Sequence, residues 1–305
     1  MKKFLLLILT FSIILVLIIL VGILLPTTPR ASKSLLFSKI HKDSLLQNVK
    51  STRLIFIGGS NLSFGLNSKM IRDSLGVYPI NTSVHLSIGL IYMLDNTLPY
   101  IRSGDTVIVS PEYNQFFGTF GYGGTELLRT IMDIDYTQLR KLRAKQWLNI
   151  FKFIPNYALS KLDPNEYFAK VDDNDIYGAD SFNEYGDAYK HWNLEKQDYP
   201  PDEPIIEPFN YSVLNELYIF KQKLEAKGAV LYITFPGTES TSFDNNKNQI
   251  SKVEMELKKK GFSLLGSPER YKIPDAMTFN SSYHLIKKGV DYRTSLLISD
   301  IRKLL

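Results

Sequence analysis

Hydrophobic and polar positions along the chain fall into two regimes. Phe4 to Leu25 is an apolar run whose only soft spots are Thr10, Ser12 and Gly22. As a helix it is roughly 33 Å long, enough to cross a bilayer core of about 30 Å. Beyond residue 50, short apolar runs alternate with amphipathic stretches. The runs Leu54–Ile57, Val77–Asn81, Thr106–Ser110 and Ala229–Phe235 read as strands, with a weak fifth at Phe262–Leu265. Leu90–Ile101, Asn210–Lys227, Asn245–Lys260 and Asp291–Leu305 carry apolar residues at helical spacing. Strands alternating with helices predict an α/β domain with a parallel, doubly wound sheet. A long insertion, about residues 116–209, separates the third strand from the fourth. Its first half, Thr125–Leu162, reads as helical; its second half, rich in Asp, Tyr, Asn and Pro, reads as ordered loop. An insertion of this length near the carboxyl ends of strands is expected to shape a binding site.

The pattern divides the chain into a tip and transmembrane anchor (1–30), a juxtamembrane helix or stalk (31–50) and a domain (51–305). A cleaved signal peptide is the competing reading of the first segment. The apolar run exceeds the usual signal core of about 7–15 residues, and Pro26-Thr-Thr-Pro-Arg30 offers no small-x-small cleavage site, so a retained anchor is favoured. Lys2 and Lys3 on one side face Arg30, Lys33, Lys39 and Lys42 on the other, and this near balance does not set the orientation. No second apolar span follows, which leaves the whole domain on one side of the membrane.

Composition narrows the chemistry. Net charge is +5, but the 36 basic residues are interspersed among 31 acidic ones. No compact basic patch with interleaved aromatics points to nucleic acid. The absence of cysteine excludes disulfides, thiolate zinc sites, a cysteine nucleophile and a lipid-modified amino-terminal cysteine.

The stretch Arg53–Leu66 concentrates the candidate chemistry. A buried strand runs into Gly58-Gly59, then Ser60 and Asn61, then a helix start. In open α/β sheets ligands gather at the carboxyl ends of strands, where Ser60 sits. The local sequence is neither G-x-S-x-G nor a dinucleotide or Walker loop. Taken alone, Ser60 is equally a nucleophile or a helix cap. A serine nucleophile needs a base, and the chain has four histidines: His41 beside the anchor, His85 after the second strand, His191 in the insertion and His284 just before the terminal helix. His284 is the one placed where the last crossover returns to the strand ends.

Gly58-Gly-Ser-Asn early and Tyr283-His-Leu late, followed by Lys288-Gly and Arg293-Thr, resemble the SGNH/GDSL esterase and acetyltransferase superfamily. The closer likeness is to its membrane-anchored bacterial branch, which includes D-alanine transfer and alginate O-acetylation proteins. The resemblance covers about Arg53 to Leu305. It implies a flavodoxin-like three-layer sandwich, Ser60 as nucleophile, His284 as base, no cofactor, and a domain facing outside the cytoplasm. The family's orienting aspartate is replaced by Asn280 and Ser281; the Asn280 amide oxygen can still accept the Nδ1–H. The oxyanion-hole glycine of the second block corresponds to Ser83. In place of the third block's asparagine stands Ser110-Pro-Glu-Tyr-Asn114, so Glu112 and Asn114 join Gly59 and Asn61 as candidate site-lining residues.

The resulting expectation is a membrane-anchored esterase or O-acyltransferase that acts on an acylated cell-surface polysaccharide or related polymer. A membrane-bound acyl donor protein is a candidate partner. The rival is an inactive domain of this type serving as a glycan-binding or scaffolding subunit. A third and weaker reading is an anion-binding module that uses the backbone after Gly59 and has no need of His284. Within the insertion, Asp187 and His191 at helical spacing offer a metal pair or a missing carboxylate; a polar loop capping a helix is the plainer reading. The run from Asp172 to Asp175 partly imitates a calcium loop, with Asp173, Asp175, Gly178 and Glu184 in ligand positions, but Tyr177 breaks the template. Tyr167, Phe168, Tyr177, Phe182, Tyr185, Tyr189 and Trp192 form either a sugar-stacking wall or ordinary aromatic packing.

Overall fold

A computed structural model describes residues 1–170, 172 and 175–303. Five strands form the central sheet: β1 (Arg53–Gly58), β2 (Tyr78–Asn81), β3 (Thr106–Ser110), β4 (Val230–Thr234) and β6 (Leu264–Leu265). They lie in the order β2-β1-β3-β4-β6, and every pairing is parallel. A small parallel pair, β5 (Thr238–Glu239) with β7 (Lys272–Ile273), sits apart. Leu54 to Ile57 and Val107 to Val109 are almost fully buried, as continuous apolar runs must be when both sheet faces are covered. Helices Ser68–Leu75 and Lys287–Ile301 pack together, as do Leu90–Thr97 and Tyr211–Ala226. The sheet with helices on both sides is the three-layer α/β sandwich expected from the alternation, in flavodoxin-type strand order.

That order sets the position of the site. The chain leaves β1 toward β2 and later returns past β1 to β3, so the direction of winding reverses between β1 and β3. A crevice opens at such a point outside the strand ends, and the residues following β1 and β3 line it. Those residues are Ser60 and Glu112.

The chain closes on itself across the insertion. Phe117 bridges Phe209, and the Asn210 N–H donates to Phe116 O at 2.7 Å. Helices Thr125–Arg129, Ala144–Phe151 and Ile154–Ser160 occupy its first half, and short turns and isolated bridges occupy the second. Helix Ser38–Asn48, in the segment expected as a juxtamembrane helix or stalk, does not space the domain from the anchor. Its Lys42 and Leu46 are buried, and Lys42 Nζ donates to Asn81 O (3.1 Å), Ser83 O (2.6 Å) and Gly186 O. One ammonium thus ties the loop after β2 to the insertion.

The N-terminal helix, Lys2–Leu24, is long and apolar enough to cross a membrane. Its side chains are exposed except near its end, where Gly22 is buried.

Candidate active site

Gly59 caps the short helix Ser60–Ser63, so Ser60 is its first residue and its hydroxyl is not a helix cap. Ser60 Oγ instead donates to Glu112 Oε1 at 3.3 Å, and the Asn61 N–H donates to the same oxygen at 3.1 Å. The approach is close: a Cβ at position 59 would lie 2.4 Å from Glu112 Oε1, so a side chain there would push the carboxyl aside. Asn61 Nδ2 reaches across to β3, donating to Ser110 O and Ser110 Oγ at 3.1 Å each. Glu112 is fully buried, which pushes its carboxyl up to about 7 against the hydrogen bonds from Asn61 and Ser60 that favour the ionised form. Its own N–H donates to Gln115 Oε1 at 3.1 Å, fixing the turn that presents it.

His284 approaches from the other end of the chain. The Leu285 N–H donates to Phe64 O at 3.2 Å, which pins the His284 loop to the end of the Ser60 helix. The imidazole stacks on Phe64, with centroids 4.4 Å apart and planes at 24°. Its Nδ1 lies 2.9 Å from Asn280 Oδ1, and Asn280 Nδ2 donates to Tyr177 Oη at 2.8 Å. With Nδ1–H donated to Asn280, Nε2 is left as the basic nitrogen. Burial, reinforced by the charges of His191 and His85, pushes the imidazole down to about 3, so His284 is neutral.

Ser60 (8% exposed) thus begins the short helix, while His284, held by Asn280, stacks on Phe64 just past the helix end. Among the described residues no hydrogen bond joins Ser60 to His284; the serine faces Glu112. The Ser83 N–H donates to Asn81 Oδ1 at 3.1 Å, and its carbonyl accepts from Lys42, so Ser83 braces the loop after β2. Asn114 is half-buried on the following turn and makes no side-chain hydrogen bond to Ser60, Glu112 or His284.

The insertion's polar candidates have other roles. Asp187 is buried, not on a helix, and accepts from Ser68 N–H (2.7 Å), Ser68 Oγ (2.8 Å) and Asn81 Nδ2 (2.9 Å). It lends no carboxylate to His284. His191 packs between Phe64 and Phe279, with centroids at 5.0 and 5.7 Å, and burial pushes it down to about 4. Of the calcium template, Asp173 lies outside the described residues; among the described residues no three His, Cys, Asp or Glu side chains are grouped for a metal.

Two site contacts escaped the sequence reading. Tyr177 lies 103 positions before the asparagine it holds, and it was marked only as one of an aromatic-rich stretch and as a break in the calcium template. Phe64, the platform for His284, reads in sequence as one more core aromatic. A cleft of about 520 Å³ opens beside Tyr177, lined also by Arg30, Lys33, His85, Glu126 and Arg129 among others.

No family model matches the chain, and no curated protein matches it. Among solved structures, protein YxiM from Bacillus subtilis superposes with a TM-score of 0.39 at 10% identity, over 83% of this chain and 57% of that one. The chain thus spans little more than half the length of that protein.

Proposed function

We propose that this chain is a membrane-anchored serine esterase or O-acyltransferase of the SGNH type, acting on an acyl ester of a cell-surface polysaccharide or related polymer. The observation that supports the reading is the stacking of His284 on Phe64, four residues after Ser60, with the histidine's Nδ1 held 2.9 Å from Asn280 Oδ1. That arrangement selects the tautomer in which Nε2 can take a proton from a hydroxyl.

In the proposed reaction Ser60 Oγ attacks the acyl carbonyl carbon as its proton passes to His284 Nε2. The carbonyl oxygen becomes an oxyanion at the position now held by Glu112 Oε1, where the Asn61 N–H already points. Asn61 supplies the donor expected of Ser83, whose N–H is engaged elsewhere. Burial raises the Glu112 carboxyl to about 7, so its neutral form is accessible near neutral pH and an entering acyl group can displace that form without moving a buried charge. Collapse of the intermediate expels the alcohol, which takes the proton from His284. The acyl-Ser60 ester is then attacked by water in hydrolysis or by a sugar hydroxyl in transfer.

The rival reading, a glycan-binding or scaffolding subunit without turnover, is favoured by one specific feature: the partner of His284 is a neutral amide, and Ser60 faces Glu112. The full chain in detergent, supplied with p-nitrophenyl acetate and with an O-acetylated polysaccharide, separates the two. Ester cleavage lost in both Ser60→Ala and His284→Ala supports the enzyme. Polysaccharide binding without ester cleavage in the wild type supports the subunit.

A further inference from the structure

Residues 136–162 contain six Lys or Arg and no Asp or Glu, in a chain whose charges are otherwise mixed. In the fold this stretch carries helices Ala144–Phe151 and Ile154–Ser160. Their large apolar side chains are left bare: Leu148 is 78% exposed and Phe151 69%, with Leu159, Leu162 and Trp147 exposed nearby and Phe168 beyond them. Single exposed apolar residues are ordinary, but a cluster of this kind on a water-soluble surface is not.

The N-terminal helix shows where the cluster lies. Gly22 packs so closely against helix Ile154–Ser160 that a Cβ there would stand 2.2 Å from Ala158 O. Lys161 Nζ donates to Leu25 O at 2.8 Å and pairs with Asp133 at 3.2 Å. Thr27 Oγ1 donates to Asp133 O, and Thr28 Oγ1 to Glu166 Oε2, so helix and insertion are joined over several residues. Gly22 lies three residues inside the end of the apolar run, about 4.5 Å of helix rise. Whatever depth the end of the helix takes in a bilayer, Ala158 and its neighbours share it.

We propose that Arg140–Phe168 is a membrane-docking surface, with its bare apolar side chains in the lipid interface and the exposed Arg140, Lys141 and Lys152 among anionic headgroups. The inference rests on the reading of Lys2–Leu24 as a bilayer anchor. Amphipathic segments with aromatic and leucine residues on one side and Lys/Arg on the other lie in this way in the plane of the interface. The anchor alone would leave the domain free to swing. Docking at a second place holds it at a fixed height, with the cleft lined by Arg30 and Lys33 close to the membrane surface.

Trp147 and Trp192 are the chain's two tryptophans, so Trp192→Phe makes Trp147 a sole reporter. The full chain carrying that change is reconstituted into phosphatidylcholine–phosphatidylglycerol vesicles, with and without lipid bearing a shallow nitroxide. Flotation on a density gradient reads the anchor separately. The proposal expects the vesicles to float with the protein and Trp147 to lose more than half of its emission to the nitroxide. It also expects most of that quenching to disappear when Leu148→Glu and Phe151→Glu are added, two exposed positions whose change leaves the fold intact. Floating protein with unquenched Trp147, or quenching that survives both glutamates, overturns the docking surface and leaves the anchor standing. Protein that does not float overturns the anchor and the docking surface with it.

Discussion

Asn280 Oδ1 lies 2.9 Å from His284 Nδ1, where a charged carboxylate would both orient an imidazole and stabilise its protonated form. The amide does the first and not the second. Its other end donates to Tyr177, so the orientation is held from the insertion side as well. An enzyme built this way has the correct tautomer and a weak base.

Asn280→Asp is therefore expected to raise turnover. The carboxylate keeps the contact to Nδ1, accepts from Tyr177 Oη, and lifts the imidazole from about 3 toward the range of a working base. We expect at least roughly a tenfold gain in kcat/KM near pH 7, with the acid limb of the pH profile moved upward. An unchanged profile would mean that Asn280 does not act on the proton acceptor.

Glu112 links the site to stability. Its carboxyl titrates at about 7 when folded and near 4.5 when unfolded. Between those values the folded chain holds a proton that the unfolded chain has released, so this group's contribution is full below about 4.5 and is lost as pH rises through 7. Glu112→Gln removes the penalty. The variant should exceed wild type by on the order of 2–3 kcal/mol at pH 8 and match it near pH 4, read from denaturant titrations at the two pH values.

His284 and His191 act in the opposite direction. Burial holds them at about 3 and about 4, against 6.5 in the unfolded chain. Their contribution is complete above about 6.5 and is lost as pH falls toward 4. His191→Phe keeps the aromatic packing between Phe64 and Phe279 and removes one of the two titrations. The loss of thermal stability between pH 6.5 and 4 should shrink by roughly 2–3 kcal/mol, followed by circular dichroism.

The sheet was legible because its physics is local. β3 matches its reading residue for residue, and β1 gains one residue at each end, since uninterrupted aliphatic runs bounded by turn residues have few alternatives. The last helix starts at Lys287 rather than Asp291, because Ile286 caps it in a sequence with no recognisable cap residue. The packing of Ser38–Asn48 was not legible: its sequence is polar, and it is buried through Lys42, whose ammonium finds three carbonyl partners supplied by the loop after β2 and by the insertion. Ser60 and His284 were singled out from their places on the chain, and Asn280 from the family resemblance; the stacking of His284 on Phe64 was not readable, because the two lie 220 positions apart. The contact between Ser60 and Glu112 was not, because it depends on how closely β3 brings the following turn to Gly59.

Lys42→Met tests that brace. It leaves the carbonyls of Asn81, Ser83 and Gly186 without their donor and deprives buried Asp187 of its neighbouring cation. Breaking a buried charge network costs about 3–5 kcal/mol, and a loss of unfolding free energy of that size, with a lowered Tm, is expected. A Tm close to wild type would show that the loops hold without it.

The central claim is that Ser60 is a nucleophile activated by His284. The most direct measurement exposes the full chain in detergent to a fluorophosphonate and locates the adduct by peptide mass spectrometry. The account predicts one adduct, on Ser60, absent in Ser60→Ala and formed at least about 100-fold more slowly in His284→Ala. A wild-type chain that takes no adduct, or a His284→Ala variant labelled as fast as wild type, would contradict it.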